Sequence, residues 1–416
     1  MVTLGKQLSN SSNLLTANLF SSHRKTVRFV KTFDIVIVGA GPAGACLAWL
    51  LSKQGLDPVI IDHSYPTDKP MAGVVPFCFT EKFPVLNAVL RKEHSDGRVH
   101  LLSHSGKRVV VSSGKDGIPA AVSFFNPGRY LLDSAISRGA RFIQERVTGV
   151  FQEKGLWKID TTEHQFRARM LAGADGVKSI VRKAVSKPFH RKDLALLFGY
   201  QVSGMEEASL IKFTRGRQGL LKASGDTELC VIEISDTLYN SPGLKNDLDT
   251  FLQNQKQSVK IEKSWSVLIP QASSGEFFDQ PCAGSNWILL GDAAGHVNPL
   301  IGEGILYALW SADLAAQAIT AGDMRVYESL WREEYGDDLR RSLPSRDLFF
   351  KPGFIEVMLR LAGRSPTFSR QLFSIFSGEN TPRGFLKKSA LILPEVLWDM
   401  VVKKSGSSKV REYSAG

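Results

Sequence analysis

The apolar positions along this chain change period several times, and the changes outline its architecture. Asp34-Ile-Val-Ile-Val38 is an apolar run short enough for a strand buried on both faces. Ala43 to Ser52 then reads as an apolar helix, and Pro58-Val-Ile-Ile-Asp62 as a second buried strand. From 97 to 125 the pattern becomes β-rich, with Arg98 to Leu102 and Lys107 to Ser112 predicting antiparallel strands rather than a second βαβ unit. Arg129 to Arg138 is helical in pattern, and Arg167 to Gly173 is a strand leading into a glycine turn. Leu196 to Val202, Glu228 to Ile234 and Val259 to Ile269 are strand-like again. Asn286 to Gly291 is a third buried strand, followed by a helix of small residues from Gly304 to about Ala321. Beyond Arg346 the pattern is amphipathic and helical.

The junction between the first strand and the first helix is Gly39-Ala-Gly41-Pro-Ala-Gly44. A strand, a tight glycine turn and a helix, in that order, form a dinucleotide fingerprint. Gly39 allows the turn, Gly41 lets the backbone approach a pyrophosphate, and Gly44 lets the helix pack close to the strand. Pro42 and Ala43 open that helix, whose free N–H groups and partial positive charge face the phosphates. Asp62 ends the second strand eighteen residues after Gly44, where a ribose hydroxyl needs an acceptor.

Composition narrows the class. With 416 residues, 43% hydrophobic and 22% charged, the chain is globular and large enough for two packed domains and a tail. Its net charge of +11 is uneven. Residues 1–33 carry five basic side chains and no acid; from Arg346 onward there are twelve basic and six acidic residues, so 34–345 balance to zero. A nucleic-acid-binding protein usually carries its charge on the folded body, and that partner class is set aside. Cys46, Cys78, Cys230 and Cys282 are scattered, which argues for a reducing compartment and against structural zinc or a dithiol centre. Ser389 to Val402, broken by Pro394, Glu395 and Asp399, is too short and polar to span a bilayer. Residues 1–31 lack a secretory apolar core; their serines and missing acids fit an organelle transit peptide, and also a flexible extension or a misassigned start codon, the readings preferred here. A cytoplasmic location is expected, with organelle import as the alternative.

Two further glycine motifs follow in order: Gly173-Ala-Asp175-Gly176-Val-Lys-Ser179-Ile-Val-Arg182, and Gly291-Asp292-Ala-Ala-Gly-His-Val-Asn-Pro299-Leu-Ile-Gly302-Glu-Gly304. With the first motif, these resemble the three signatures of the flavoprotein group that includes p-hydroxybenzoate hydroxylase, over roughly residues 32–345. The wording of the third motif, continued by Ile305, Tyr307 and Ala308, resembles the geranylgeranyl reductase family; the Gly-Gln-Gly usual in hydroxylases is missing. Ser264-Trp265-Ser-Val-Leu-Ile-Pro270 falls where that family has an aromatic-rich strand ending in Phe-Pro. It is also similar to the Trp-x-Trp-x-Ile-Pro of flavin halogenases, except that Val267 replaces the second tryptophan. One departure stands out: several reductases carry a cysteine after the second strand, where this chain reads Lys69-Pro-Met-Ala72-Gly73, and Cys78 is too far along to be assumed a replacement.

The resemblance implies FAD bound in extended form, with adenosine at Gly39–Asp62. It makes Arg129, with its helix partner Asp133, the basic residue over the phosphates. Asp175 becomes an acid near the pyrophosphate and a structural cap, and Asp292 the acid on a ribityl hydroxyl. Gly291 belongs to the same turn, and Val147 completes the cofactor set. Gly302 and Gly304 would start the helix whose positive end faces the flavin pyrimidine. Trp265 and Pro270 are candidates for the substrate pocket, Trp265 being equally a candidate for the core.

The expected fold is α/β: an FAD-binding Rossmann-like domain (32–75, 126–185, 283–345), an inserted β-rich substrate domain (76–125, 186–282), and a C-terminal helical region (346–416) after a basic extension (1–31). The implied activity is reduction of double bonds in a prenyl chain. The alternatives are a monooxygenase or halogenase acting on an aromatic, and a non-catalytic prenyl-binding escort. No second Gly-x-Gly-x-x-Gly follows a strand, so electrons are expected from transiently docking NADPH or a ferredoxin-like partner. The basic tail and its apolar positions (Phe349, Phe350, Phe354, Ile355, Met358, Leu359, Leu372, Phe373, Ile375, Phe376) fit peripheral membrane contact, or a helical cap on the FAD domain.

Overall fold

The computed structural model describes residues 29–64, 73–76, 98–103, 105, 107–112, 120–123, 127–203, 209–214, 217–224, 229–235, 241–253, 259–299, 302–349, 351–376 and positions 388, 390, 391 and 394. The expectations about residues 1–28, the 69–72 loop, Cys78 and most of 389–402 lie outside them.

Two seven-stranded sheets organise the chain. In the first, β1 (Phe29–Val38) pairs in parallel with β2 (Val59–Asp62) on one side and β10 (Gln165–Gly173) on the other. β7 (Arg141–Gln144) extends the sheet beyond β2, and β16 (Trp287–Leu289) runs beside the end of β10. The registers Val38↔Ile61, Val38↔Gly173 and Gly173↔Leu289 end these strands in line. The three glycine motifs therefore emerge side by side at the carboxyl edge of one parallel sheet, where α/β folds place ligands. β8 (Val147–Glu153) and β9 (Leu156–Thr161) form a hairpin paired with the first half of β10.

Helix α1 (Pro42–Lys53) starts with proline at its first turn and buries an Ala/Leu-rich face. It packs between α2 (Pro127–Ile136) and α6 (Ile305–Thr320), which closes the core over β1. Shorter elements, α3 (Ile180–Val185) and α5 (Gly291–Ala294), begin within the second motif and at the start of the third.

The second sheet has the order β15 (Lys260–Pro270), β11 (Leu194–Ser203), β14 (Leu229–Ser235), β13 (Arg217–Ser224), β12 (Ser209–Thr214), β4 (Arg98–Leu102), β5 (Arg108–Ser112). Strands from 76–125 and from 186–282 thus pair with one another, joined by the parallel contact β12–β4. β3 (Gly73–Pro76) and β6 (Ala120–Ser123) make a separate ribbon. Helix α4 (Ser241–Gln253) covers β11 and β14.

The C-terminal part corrects two expectations. The boundary at 345/346 falls inside helix α8 (Asp337–Phe349), which follows α7 (Val326–Trp331) and a π-helical turn at Arg332–Gly336 and carries Pro344 within it. The amphipathic pattern beyond Arg346 does not mark a helix start, because α8 already runs through it. Helices α9 (Pro352–Ala362) and α10 (Pro366–Phe376) then pack on β5 of the second sheet rather than on the FAD-binding sheet. Ile355, Leu359, Leu372, Phe373 and Ile375 are buried there, so they present no apolar face to a membrane. Among the described residues no helix is long and apolar enough to cross a membrane.

Candidate flavin and substrate cleft

A cleft of about 420 Å³ runs along the carboxyl edge of the first sheet and under β11 and β15 of the second. At one end it is lined by Asp62, His63, Ser64, Glu145, Arg146 and Val147; in the middle by Gly39, Gly41, Pro42, Ala43, Asp175 and Asp292; at the other end by Val297, Gly302, Gly304, Ile305 and Ala308, with Leu197, Val267 and Ile269 above. Ten of the thirteen cofactor positions expected from sequence therefore share one wall, the exceptions being Gly44, Arg129 and Gly291.

The three fingerprint glycines divide the labour. Gly39 has φ +101°, and a Cβ there would come within 3.0 Å of the Ala174 backbone. A Cβ on Gly44 would strike the Gly39 carbonyl. Both glycines are needed to assemble the strand–turn–helix itself. Gly41 has ordinary extended geometry and nothing within 4 Å of its hypothetical Cβ, because that atom would project into the cleft. The missing side chain leaves the Gly41 backbone open to a ligand in the cleft, which is the room an FAD pyrophosphate requires.

Asp62 is held by that turn: its Oδ2 accepts from the Ala40 N–H at 2.7 Å, and its Oδ1 from the Ser64 N–H at 3.0 Å. Asp175 both lines the cleft and caps α3, accepting from Ser179 Oγ at 2.5 Å and from the Ile180 N–H at 2.6 Å. Burial raises its pKa, and these donors oppose the rise. Asp292 lies in the first turn of α5, and its Oδ1 is 3.2 Å from where a Gly304 Cβ would sit. A side chain at 304 would crowd the acid expected on the ribityl chain.

Arg129 is placed elsewhere. It is exposed on α2 and faces Asp133 at 4.0 Å, an ordinary i,i+4 surface pair, and it does not line the cleft. The cations that do line it are Arg146 and Lys178, both exposed, which the sequence reading did not single out. Lys178 stood within the second motif, so its place there was the available signal. Trp265 and Pro270 flank the lining rather than form it. Trp265 packs on Gly199, where any Cβ would clash with the indole, and its Nε1 is buried without a hydrogen-bond partner. Val267 and Ile269, on the same face of β15 as Trp265 by its two-residue period, reach the cleft where Trp265 turns onto Gly199.

Behind the wall, the motifs are tied together by buried polar groups. Arg182, 2% exposed, donates to the carbonyls of Lys187 at 2.7 Å and Ala293 at 3.2 Å, joining the second motif to the third. His296 packs against Trp331 with ring centroids 4.5 Å apart and tilted by 37°, and meets Tyr335 Oη through Nδ1 at 3.0 Å. Burial, then the charges of Arg182 and Arg332, push the imidazole pKa down to about 3, so it is neutral. Cys282, buried beside it, is pushed up to about 12, chiefly by burial.

Geometry and homology agree on the class. Residues 32–75 match the FAD binding domain family. The chain is an FAD-dependent oxidoreductase with the Rossmann-like flavoprotein fold. Its relatives include the digeranylgeranylglycerophospholipid reductase of Methanosarcina acetivorans, 26% identical over 76% of this chain and 84% of that protein. The menaquinone reductase of Mycolicibacterium smegmatis is 26% identical over 80% of this chain and 88% of that one. Among solved structures, a geranylgeranyl bacteriochlorophyll reductase-like protein from Thermoplasma acidophilum superposes with a TM-score of 0.69 at 19% identity, covering 90% of this chain and all of that one. The flavin-dependent brominase Bmp2 shares the fold at a TM-score of 0.63 and 15% identity, over 88% of this chain and 100% of that chain.

Proposed function

We propose that the protein reduces isolated carbon–carbon double bonds of a prenyl chain. One observation carries this reading: every described residue that the second sheet contributes to the cleft (Leu197, Val267 and Ile269) is aliphatic. Such a roof excludes water and offers an apolar chain dispersion contacts, without polar groups to orient a phenol or an acid. Bound FAD would supply the two-electron chemistry at its N5–C4a edge. The chain's own residues bind and orient: Asp62 the adenosine end, the α1 N-terminus the pyrophosphate, Asp292 the ribityl chain. The names of the archaeal reductases and of the menaquinone reductase support the same substrate class. Against the halogenase alternative stands Val267, which lines the cleft where halogenases carry their second tryptophan.

The electron donor belongs to the proposal too: NADPH docking transiently, or a ferredoxin-like protein. A prenyl lipid brings the enzyme to a membrane surface peripherally, by a contact other than the buried side chains of α9 and α10. The test is anaerobic turnover by dithionite-reduced protein with a geranylgeranyl lipid, read by mass spectrometry. Gain of hydrogen across one or more double bonds is expected. An unchanged lipid, together with oxygen consumption dependent on an aromatic substrate, would move the protein to the monooxygenases.

A further inference from the structure

The loop that delivers Gly302 and Gly304 to the cleft carries a carboxyl on its hidden side. Glu303 is 8% exposed. Its Oε1 accepts from the Leu306 N–H at 2.7 Å, in the first turn of α6. Its Oε2 is buried with no hydrogen-bond partner. Its backbone carbonyl accepts from the Asn298 N–H at 2.9 Å, which holds the loop in place. A buried carboxylate oxygen without a donor is costly, whereas a protonated one is far cheaper to bury. The N–H groups of Leu306 and Ile305 at the start of α6 favour the anion, and burial together with a neighbouring acid favours the proton. Asp292 on α5 is the charged neighbour acting on Glu303; Tyr307, one turn along α6, is itself acted on by Glu303 and by Asp338 of α8.

The position matters because the α6 N-terminus is the positive pole aimed at the cleft's far end. A helix N-terminus carries roughly half an elementary charge, and an ionised carboxylate in its first turn opposes that charge directly. We propose that Glu303 is a charge gate for the bound flavin: protonated on Oε2 it leaves the α6 pole available to negative charge arriving in the cleft, and ionised it cancels that pole. This rests on FAD lying with its pyrimidine end at Gly302–Gly304, and not on the identity of the substrate. Reduction of the flavin adds two electrons; where Glu303 is ionised beforehand, one proton from solvent returns to Oε2 as that charge arrives. Glu303 does not line the cleft and acts as a positioning residue.

Burial, opposed by the Leu306 and Ile305 N–H groups and aided by Asp292, lifts the carboxyl to about 8, so Glu303 is protonated near neutrality and ionises in mildly alkaline solution. The experiment is the midpoint potential of the bound flavin against pH, measured spectroelectrochemically for wild type and Glu303→Gln. Gln keeps the size and stays neutral. Above about pH 8 the wild-type potential should fall more steeply than the variant's, by up to one extra proton taken up per two electrons. Superimposable curves would overturn the proposal while leaving prenyl reduction untouched. Flavin-free wild type labelled with 13C-glutamate supplies a second readout should the variant fail to fold or bind FAD. A protonated-carboxyl infrared band should be present at pH 7 and fade as the pH rises through about 8. A spectrum without that band at pH 7 would overturn the proposal equally.

Discussion

Replacing Gly41 and Gly39 separately distinguishes a ligand-bearing glycine from a fold-bearing one. Gly41→Val puts a side chain where nothing lies within 4 Å, at a φ of −66° that any residue adopts. No packing is disturbed and the unfolded chain loses some freedom, so flavin-free stability should change by less than about 1 kcal/mol. FAD affinity should fall sharply. Each charge-assisted backbone contact to a phosphate that the new side chain blocks is worth about 1.5–3 kcal/mol, or roughly 10- to 150-fold in Kd. Gly39→Ala does the reverse. Its φ of +101° costs an alanine about 1–2 kcal/mol, and the clash with the Ala174 backbone adds about 1–3 kcal/mol. Thermal melts of the flavin-free proteins and fluorescence titration with FAD separate the two effects. A Gly41→Val protein with wild-type flavin affinity, or one that melts as early as Gly39→Ala, would refute the argument.

Other outcomes follow from the same geometry. Asp292→Ala should weaken FAD binding and leave the fold intact, checked by flavin titration and circular dichroism; unchanged affinity would assign Asp292 to the turn alone. Lys178→Ala should weaken FAD and Arg129→Ala should not, since only Lys178 lines the cleft; equal losses would return Arg129 to the phosphates. His296 has a folded pKa of about 3, below its unfolded value of 6.5, so the unfolded chain binds the extra proton and stability falls as pH drops below 6.5. Denaturant titrations from pH 7 to 4 should show that fall flattened in His296→Gln by about 1.4 kcal/mol per pH unit, and parallel curves would contradict a buried neutral imidazole. Cys46 and Cys282, both buried, should resist iodoacetamide in native protein and react once it is unfolded, as read by peptide mass spectrometry.

What the amino-acid order disclosed, and what it hid, has a physical pattern. The nucleotide-binding elements were legible because parallel strands buried on both faces read as continuous apolar runs, and because glycines mark places where a side chain cannot fit. Asp34–Val38, Pro58–Asp62 and Asn286–Gly291 all sit at strands of the first sheet. The β8–β9 hairpin went unread because a strand with one face in solvent mixes polar residues into the pattern, as in Val147–Glu153. Helix α4 was missed although leucines at 244, 248 and 252 spell its period, and Leu248 and Leu252 are buried. Asp175 was readable as a cap only through the resemblance of the second motif, and its bonds to Ser179 and the Ile180 N–H are what make it one. Arg146 was not readable as a cleft residue, since its position depends on how β7 is carried beyond β2.

The C-terminal helices show why amphipathicity alone could not choose between a membrane and a protein surface. Either surface accepts an apolar stripe, and the choice depends on whether a fold leaves a matching face uncovered. Here it does: Leu101, Val109 and Val111 of the β4–β5 hairpin are buried, and α9 and α10 pack on β5. Ser105 Oγ donates to Glu356 Oε1 at 2.6 Å, tying the hairpin turn to α9. Burial of each large apolar side chain contributes about 1.5–3 kcal/mol, so pulling five of them out to meet lipid would cost more than an interfacial helix recovers. Two substitutions separate the cases. Phe373, 1% exposed, should cost about 3–5 kcal/mol as Phe373→Ala and lower the melting temperature. Val357, 47% exposed on α9, should tolerate Val357→Asp with no change in stability or in co-sedimentation with anionic liposomes. A neutral Phe373→Ala combined with liposome binding abolished by Val357→Asp would restore the tail as the membrane-facing surface.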